Sequence, residues 1–217
     1  MSPVSAERKP RGPYASPRQE ARQRRILEST RQEITRVGYD ALTMQQLAKA
    51  GDVSTKTLYN LFGSKDELLL AAVADLLGNL EQHPSMQAAG AGVPALLAFT
   101  ELVGEQILET PRYAEVMARA LFHAEQGHRL IEILLGNTVR VAENALVDAR
   151  SHGQVDPELD VGGCARVLAA HQWGVVLLWA KGLIPLEEYR RLARNSQICS
   201  LLPICRGDTL QRLQAQY

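Results

Sequence analysis

Between residues 43 and 69 the chain reads TMQQLAKAGDVSTKTLYNLFGSKDELL, and this stretch carries three helix starts in quick succession. Thr43 with Gln46, and Ser64 with Glu67, have capping-box spacing: the first side chain takes up an orphan amide of the new helix and the second reaches back to the cap. Ser54 is a good N-cap without the acidic partner. Leu42 with Leu47, and Val53 with Leu58, set an apolar residue before the cap against one in the first turn, which fixes the angle of entry. Together these signals predict a short helix over 44–50, a tight turn at Gly51 and Asp52, and a second short helix over 55–62. That is a helix-turn-helix. The second helix is expected to bury Leu58, Leu61 and Phe62. Its other face presents Thr55, Lys56, Thr57, Tyr59 and Asn60, a small polar surface of the kind that fits a DNA major groove.

The pattern extends without a gap through Ile26-Leu27, Gly38-Tyr39, Leu42-Thr43, Leu47-Ala48, Val53-Ser54, Thr57-Leu58-Tyr59, Phe62 and Ser64-Lys65. In this combination it resembles the tetracycline-repressor (TetR) family of bacterial transcriptional regulators. Gly51-Asp52 stands where that family usually has Ala-Gly, Lys56 stands where Gly is common, and Arg31 and Glu33 stand where the first helix usually carries Leu. Asp tolerates a left-handed turn less well than Gly but better than most residues, so the turn is expected to survive. The resemblance implies a division of labour on double-stranded DNA. Thr55, Lys56, Thr57 and Asn60 would face base edges or nearby phosphates, and Tyr59 and Lys65 would hold the phosphate backbone. Thr43 would offer its hydroxyl and amide to phosphate from a helix N-terminus.

The formal net charge is zero, yet residues 1–65 hold twelve Lys and Arg against six Asp and Glu, and residues 66–217 hold twelve against eighteen. A basic front end points to a polyanion, and an acidic remainder keeps the rest of the chain off it. Residues 1–19 contain Pro3, Pro10, Pro13 and Pro17 among Arg8, Lys9, Arg11 and Arg18. They read as a flexible basic arm, either reaching DNA or simply solvated. The segment after Met1 lacks the apolar core of a signal peptide. Cys164, Cys199 and Cys205 form no paired framework, although Cys199 and Cys205 straddling Pro203 leave a redox role open. These features predict a cytoplasmic protein with reduced thiols.

Periodicity elsewhere is helical throughout. A first helix is expected over 21–37 with Ile26, Leu27, Thr30, Ile34 and Val37 on one face, a fourth over 65–80, a loop over 83–92, a helix over 93–110, a shorter one over 113–125, and further helices over 128–151, 161–181 and 185–202, with a terminal turn near 208–216. The class is all-α: a three-helix helix-turn-helix head over 20–66, following the 1–19 arm, joined to a helical ligand-binding and dimerisation domain over 67–217. The segment 161–180 is apolar on nearly every side. Arg166, His171 and Gln172 argue against a membrane span, so one side is expected to meet the core and the other a second copy of the chain. The resemblance implies the same homodimer, through the last two long helices. A ligand cavity is also implied, for an unidentified small hydrophobic effector of drug or lipid size. Its candidate lining is Phe99, Tyr113, Met117, Phe122, Trp173 and Trp179, with His171 and Gln172 as polar contacts. His123 and His128 lack the spacing of a metal pair. Cys164 and His171 share a helical face, either as a sensor or pocket pair or as ordinary structural residues. No cofactor, metal or catalytic residue is expected. The reading is therefore a repressor that binds a palindromic operator as a dimer, against the alternative of a small-molecule binding protein of the same fold without operator binding.

Overall fold

A computed structural model describes residues 17–38, 41–122 and 128–217, with the side chains of 120–122 and 128 left aside. Among these residues there are eleven helices: α1 (Pro17–Val37), α2 (Met44–Ala50), α3 (Thr55–Phe62), α4 (Lys65–Glu81), α5 (Pro84–Ala89), α6 (Val93–Glu109), α7 (Pro111–Phe122), α8 (His128–Ser151), α9 (Val161–Ala180), α10 (Leu186–Leu201) and α11 (Gly207–Gln216). The fold is all-α, and the only extended pairing among the described residues is an isolated bridge between Val155 and Cys205. The arm through residue 16, Tyr39, His123, Glu125 and Gly127 lie outside the described residues, as do the side chains of Phe122 and His128.

The helix starts form where the caps predict them. Thr43 and Gln46 make a complete capping box, and Ser54 accepts from the Thr57 amide at 3.1 Å. Ser64 accepts from the Glu67 amide at 3.1 Å, but the return half of that expected box is replaced, because the Glu67 carboxylate reaches across to Arg129 on α8. Around these caps α1 to α4 enclose Ile26, Leu27, Ile34, Leu42, Leu47, Leu58 and Leu68. Two expected core residues lie outside: Leu61 is half exposed and Val37 partly so. Leu58 is the buried residue of α3, with Phe62 packed partly beside it, because an eight-residue helix meets its neighbours along one narrow stripe.

Arg31 explains how α1 tolerates a cation where Leu is usual. Its guanidinium bonds the Ala72 carbonyl at 3.0 Å and Asp75 at 2.9 Å on α4, and Glu28 on its own helix at 2.6 Å. Burial opposes the charge, but the bonds to Asp75 and Glu28 outweigh it and raise the pKa.

Three element predictions change. The expected loop over 83–92 contains α5, since Pro84 occupies a first-turn position that needs no amide and the His83 ring accepts from the Ser85 amide. The terminal turn is a ten-residue helix, α11. Helix α1 begins at Pro17, a turn earlier than expected.

Helix α9 packs against α7, α8 and α10. It is the one described helix long and apolar enough to cross a membrane. In the single chain it is not buried on all sides. Ala165, Leu168, Ala169, Gln172, Val175 and Val176 are buried, whereas Val167, Ala170, His171 and Leu178 are exposed at three- and four-residue spacing. The neighbouring helices cover only one flank.

Candidate nucleic-acid interface and ligand cavity

The turn between α2 and α3 sets the position of the polar helix. Asp52 takes a left-handed φ of 52°, while Gly51 has an ordinary φ of −81°. Gly51 is required for a different reason: a Cβ there would lie 3.2 Å from Ile26 Cγ1 and 3.3 Å from the Leu47 carbonyl oxygen. The α1 backbone therefore crosses directly over the turn and presses α2 against it.

On α3, Lys56, Tyr59 and Asn60 are exposed, and Thr55 and Thr57 are half-buried. The Thr57 hydroxyl lies 2.8 Å from that of Ser54, so it is pre-set by the cap. Arg22 of α1 and Lys49 of α2 line a shallow concavity with Asp52, Ser54 and Thr57. Those two cations extend the polar surface beyond the residues that the helix pattern singled out. Their signals in the sequence are the charge excess of the first 65 residues and, for Arg22, its place with Arg24 and Arg25 near the start of α1, where the helix dipole disfavours cations and an external anion would offset them. Lys65 Nζ donates to the Leu42 carbonyl at 3.2 Å, which ties the start of α4 to the entry of α2. Thr43 is exposed, but its amide and hydroxyl both donate to Gln46 Oε1, at 2.8 and 2.9 Å. A phosphate there would have to displace that amide oxygen.

Behind the head lies an apolar cavity of about 100 Å³, walled by α4, α6, α7, α8 and α9. Of the expected lining, Phe99, Tyr113, Met117, Gln172 and Trp173 are there. Trp179 is not: its ring stands edge-on to Tyr189, centroids 6.0 Å apart, in the α9–α10 contact. His171 is not either, because it faces outward and its Nδ1 lies 2.5 Å from the Ser200 hydroxyl. Both misplacements share one cause. A helix apolar all round gives no phase, so the sequence could not say which of its sides meets the cavity. Missed altogether were Val73, Leu76, Leu77 and Leu80 of α4, together with Thr110 and Thr138. The adjacent leucines of α4, continuing past the head, were the available signal.

Tyr113 and Met117 also belong to the hydrophobic cluster that forms the head core, so the cavity and the head share a wall. Burial pushes the Tyr113 phenol well above its ordinary pKa, which keeps it a hydrogen-bond donor. Among the described residues no group of His, Cys, Asp and Glu is arranged to hold a metal. The Cys205 thiol is buried and pushed up to about 11 by desolvation. Burial, with Asp160 nearby, also raises Cys164.

Comparison with known proteins follows the same division. The sequence model for bacterial regulatory proteins, tetR family, matches residues 26–72, from the first core residue of α1 into the middle of α4. The head of this chain is a TetR-family domain. This is a family of transcriptional regulators, not of enzymes. The transcriptional repressor KstR of Mycolicibacterium smegmatis is 30% identical over 49% of this chain and 53% of its own length. The transcriptional regulator HbdR of an Aromatoleum species is 26% identical over 72% of this chain and 70% of its own. The chain spans about half the length of the KstR relatives it matches. Among solved structures, the TetR regulator TylP of Streptomyces fradiae superposes with a TM-score of 0.65 at 18% identity, over 90% of this chain and 86% of its own. SmeT, the repressor of a multidrug efflux pump in Stenotrophomonas maltophilia, superposes with a TM-score of 0.62 at 17% identity, over 86% and 92%. At these identities the structures speak for the fold alone, and that fold runs through the whole TetR-type bundle.

Proposed function

We propose that this TetR-family chain is a cytoplasmic, DNA-binding transcriptional repressor. It acts as a homodimer on a palindromic operator and is released by a small hydrophobic effector. The head over 20–66 reads DNA, and the helices over 67–217 bind the effector and a second copy of the chain. The observation that carries this reading is α3: an exposed, mostly uncharged polar face with Lys56, Tyr59 and Asn60 outermost, held by a capped turn on the basic end of the molecule. Thr55, Lys56, Thr57 and Asn60 meet bases and nearby phosphates, while Tyr59, Lys65 and Thr43 serve the backbone. The name of KstR as a repressor supports the sign of regulation. A ligand that favours the conformation unable to bind DNA by a few kcal/mol is enough to switch it.

Dimerisation is supported by the exposed apolar stripe of α9. It offers Val167, Ala170 and Leu178 to a partner, and a helix-turn-helix half-site pairs naturally with a two-fold axis. The deciding experiment selects bound sequences from a random duplex pool with the full chain. An inverted repeat is expected. On that operator Asn60→Ala should cost about 1–3 kcal/mol while affecting random DNA little. Lys56→Ala should weaken both and lower the salt slope by roughly one per half-site. Failure to bind any duplex at low salt would replace this reading with a small-molecule binding protein of the same fold.

A further inference from the structure

Among the described residues the cavity lining contains no Asp, Glu, Lys, Arg or His. Its few polar side chains are mostly satisfied from within. Gln106 Nε2 donates to Thr110 Oγ1 at 3.0 Å, and that hydroxyl donates to the Gln106 carbonyl at 2.9 Å. Thr138 Oγ1 donates to the Leu134 carbonyl and accepts from the Trp173 indole at 3.2 Å. Gln172 Nε2 donates to the Tyr189 hydroxyl at 3.2 Å. Among the described residues, two buried polar atoms of lining residues have no hydrogen-bond partner, the Tyr113 hydroxyl and Gln172 Oε1.

Each orphan costs about 1–3 kcal/mol, and Phe and Leu would fill the same space without that cost. In two residues that line a cavity, one unpaired donor and one unpaired acceptor are the features of a site reserved for the polar end of something else. An ionised guest is disfavoured, because its charge would be desolvated among apolar walls with no countercharge in the lining. Arg31, whose charge acts on Tyr113, is already engaged by Asp75 and Glu28.

We propose that the cavity takes an uncharged, mostly apolar molecule whose polar end accepts from the Tyr113 hydroxyl and donates to Gln172 Oε1, an alcohol being the simplest group that does both. This rests on the cavity being the effector site. The volume of about 100 Å³ suits a single small ring, and larger guests of the class enter as the walls separate.

Four probes of matched carbon count test it: ethylbenzene, acetophenone, 2-phenylethanol and phenylacetate. Binding is followed by the fluorescence of Trp173 in a Trp179→Phe background, which keeps the ring against Tyr189. The first three should bind and phenylacetate should not. Tyr113→Phe should weaken 2-phenylethanol and acetophenone about five- to tenfold and leave ethylbenzene unchanged. Gln172→Leu should weaken 2-phenylethanol by a similar factor but spare acetophenone, which has no proton to donate. Tyr113→Phe should also keep or raise the melting temperature, since it deletes an unpaired buried hydroxyl. If Gln172→Leu fails to fold, the alcohol-to-ethylbenzene ratio in Tyr113→Phe decides alone. Equal changes for 2-phenylethanol and ethylbenzene in the variants would overturn the polar pairing while leaving the cavity a binding site. Phenylacetate binding as tightly as the alcohol would overturn the ligand class. If ethylbenzene and the others all leave Trp173 unperturbed, the effector-site reading itself fails.

Discussion

Gly51 and Asp52 divide between them two demands that a helix-turn-helix corner makes. The left-handed conformation falls to Asp52, where the lack of a β-branch keeps the strain modest. The close approach falls to Gly51, whose missing Cβ lets Ile26 sit against the turn. Substitutions separate the two. Gly51→Ala should destabilise the chain by about 1–3 kcal/mol, as overpacking against α1 does. Asp52→Gly should be neutral or stabilising by up to about 1 kcal/mol. It relieves the positive φ and gives up only an exposed pairing with Arg25 at 3.6 Å. Urea unfolding of both variants checks this, and a Gly51→Ala protein as stable as wild type would show that α1 does not press on the turn. The turn itself was legible in the residue types. The reason for Gly51 was not, because it depends on a helix lying 25 positions earlier in the chain.

At the scale of elements, the caps were the most readable part. They set the bounds of α2 and α3 without reference to anything distant. What escaped reading was whatever a neighbour decides: the rotation of α9 about its axis, the exposure of Leu61, and α5, where a proline and nearby glycines look like loop residues. Cross-helix ion pairs belong to the same class, and two of them yield tests. Arg31 and Asp75 tie α1 to α4 with little exposure on either side. Asp75→Ala should cost about 2 kcal/mol by leaving Arg31 buried with fewer partners, and Arg31→Leu added to it should restore most of the loss. A double variant no better than the single one would deny that tie.

Between α6 and α10, Glu101 accepts from Arg190 at 2.8 Å and from Arg194 at 2.6 Å. Burial works to raise its pKa, but the two arginines together lower it below the ordinary carboxylate value. The ionised form is therefore favoured by folding. Its contribution is complete above the ordinary carboxylate pKa and is lost as pH falls through the depressed one. Glu101→Gln should lower the melting temperature by roughly 2–4 °C at neutral pH, for about 1 kcal/mol. The difference from wild type should close in strong acid. A gap that persists at low pH would mean that the glutamine packs badly rather than that a charge was lost.

At the scale of the whole molecule two surfaces bear on the proposed function, one exposed and one internal. One is the outer stripe of α9, and its prediction is direct. Sedimentation at micromolar concentration should give one species near twice the 23.9 kDa chain mass. Val167→Glu should give the monomer, whereas Leu183→Glu should change nothing, because Leu183 is the most exposed large apolar residue among those described and lies beyond the end of α9. A monomeric wild type would remove both the dimer and the two-half-site operator. The other surface is the wall shared by the cavity and the head core, through Tyr113 and Met117.

The small size of that cavity would govern how such a sensor is tuned. A guest larger than about 100 Å³ would bind only the molecules whose walls have already parted, so its apparent affinity would be the intrinsic one scaled down by that fraction. The concentration at which the protein responds would then be set by how well its own side chains fill the space in the guest's absence. Trimming Met117 to Ala would loosen the empty form, lower the melting temperature and, for the same reason, make the protein respond to less of the effector. Sensitivity and stability would be opposite readings of one packing density.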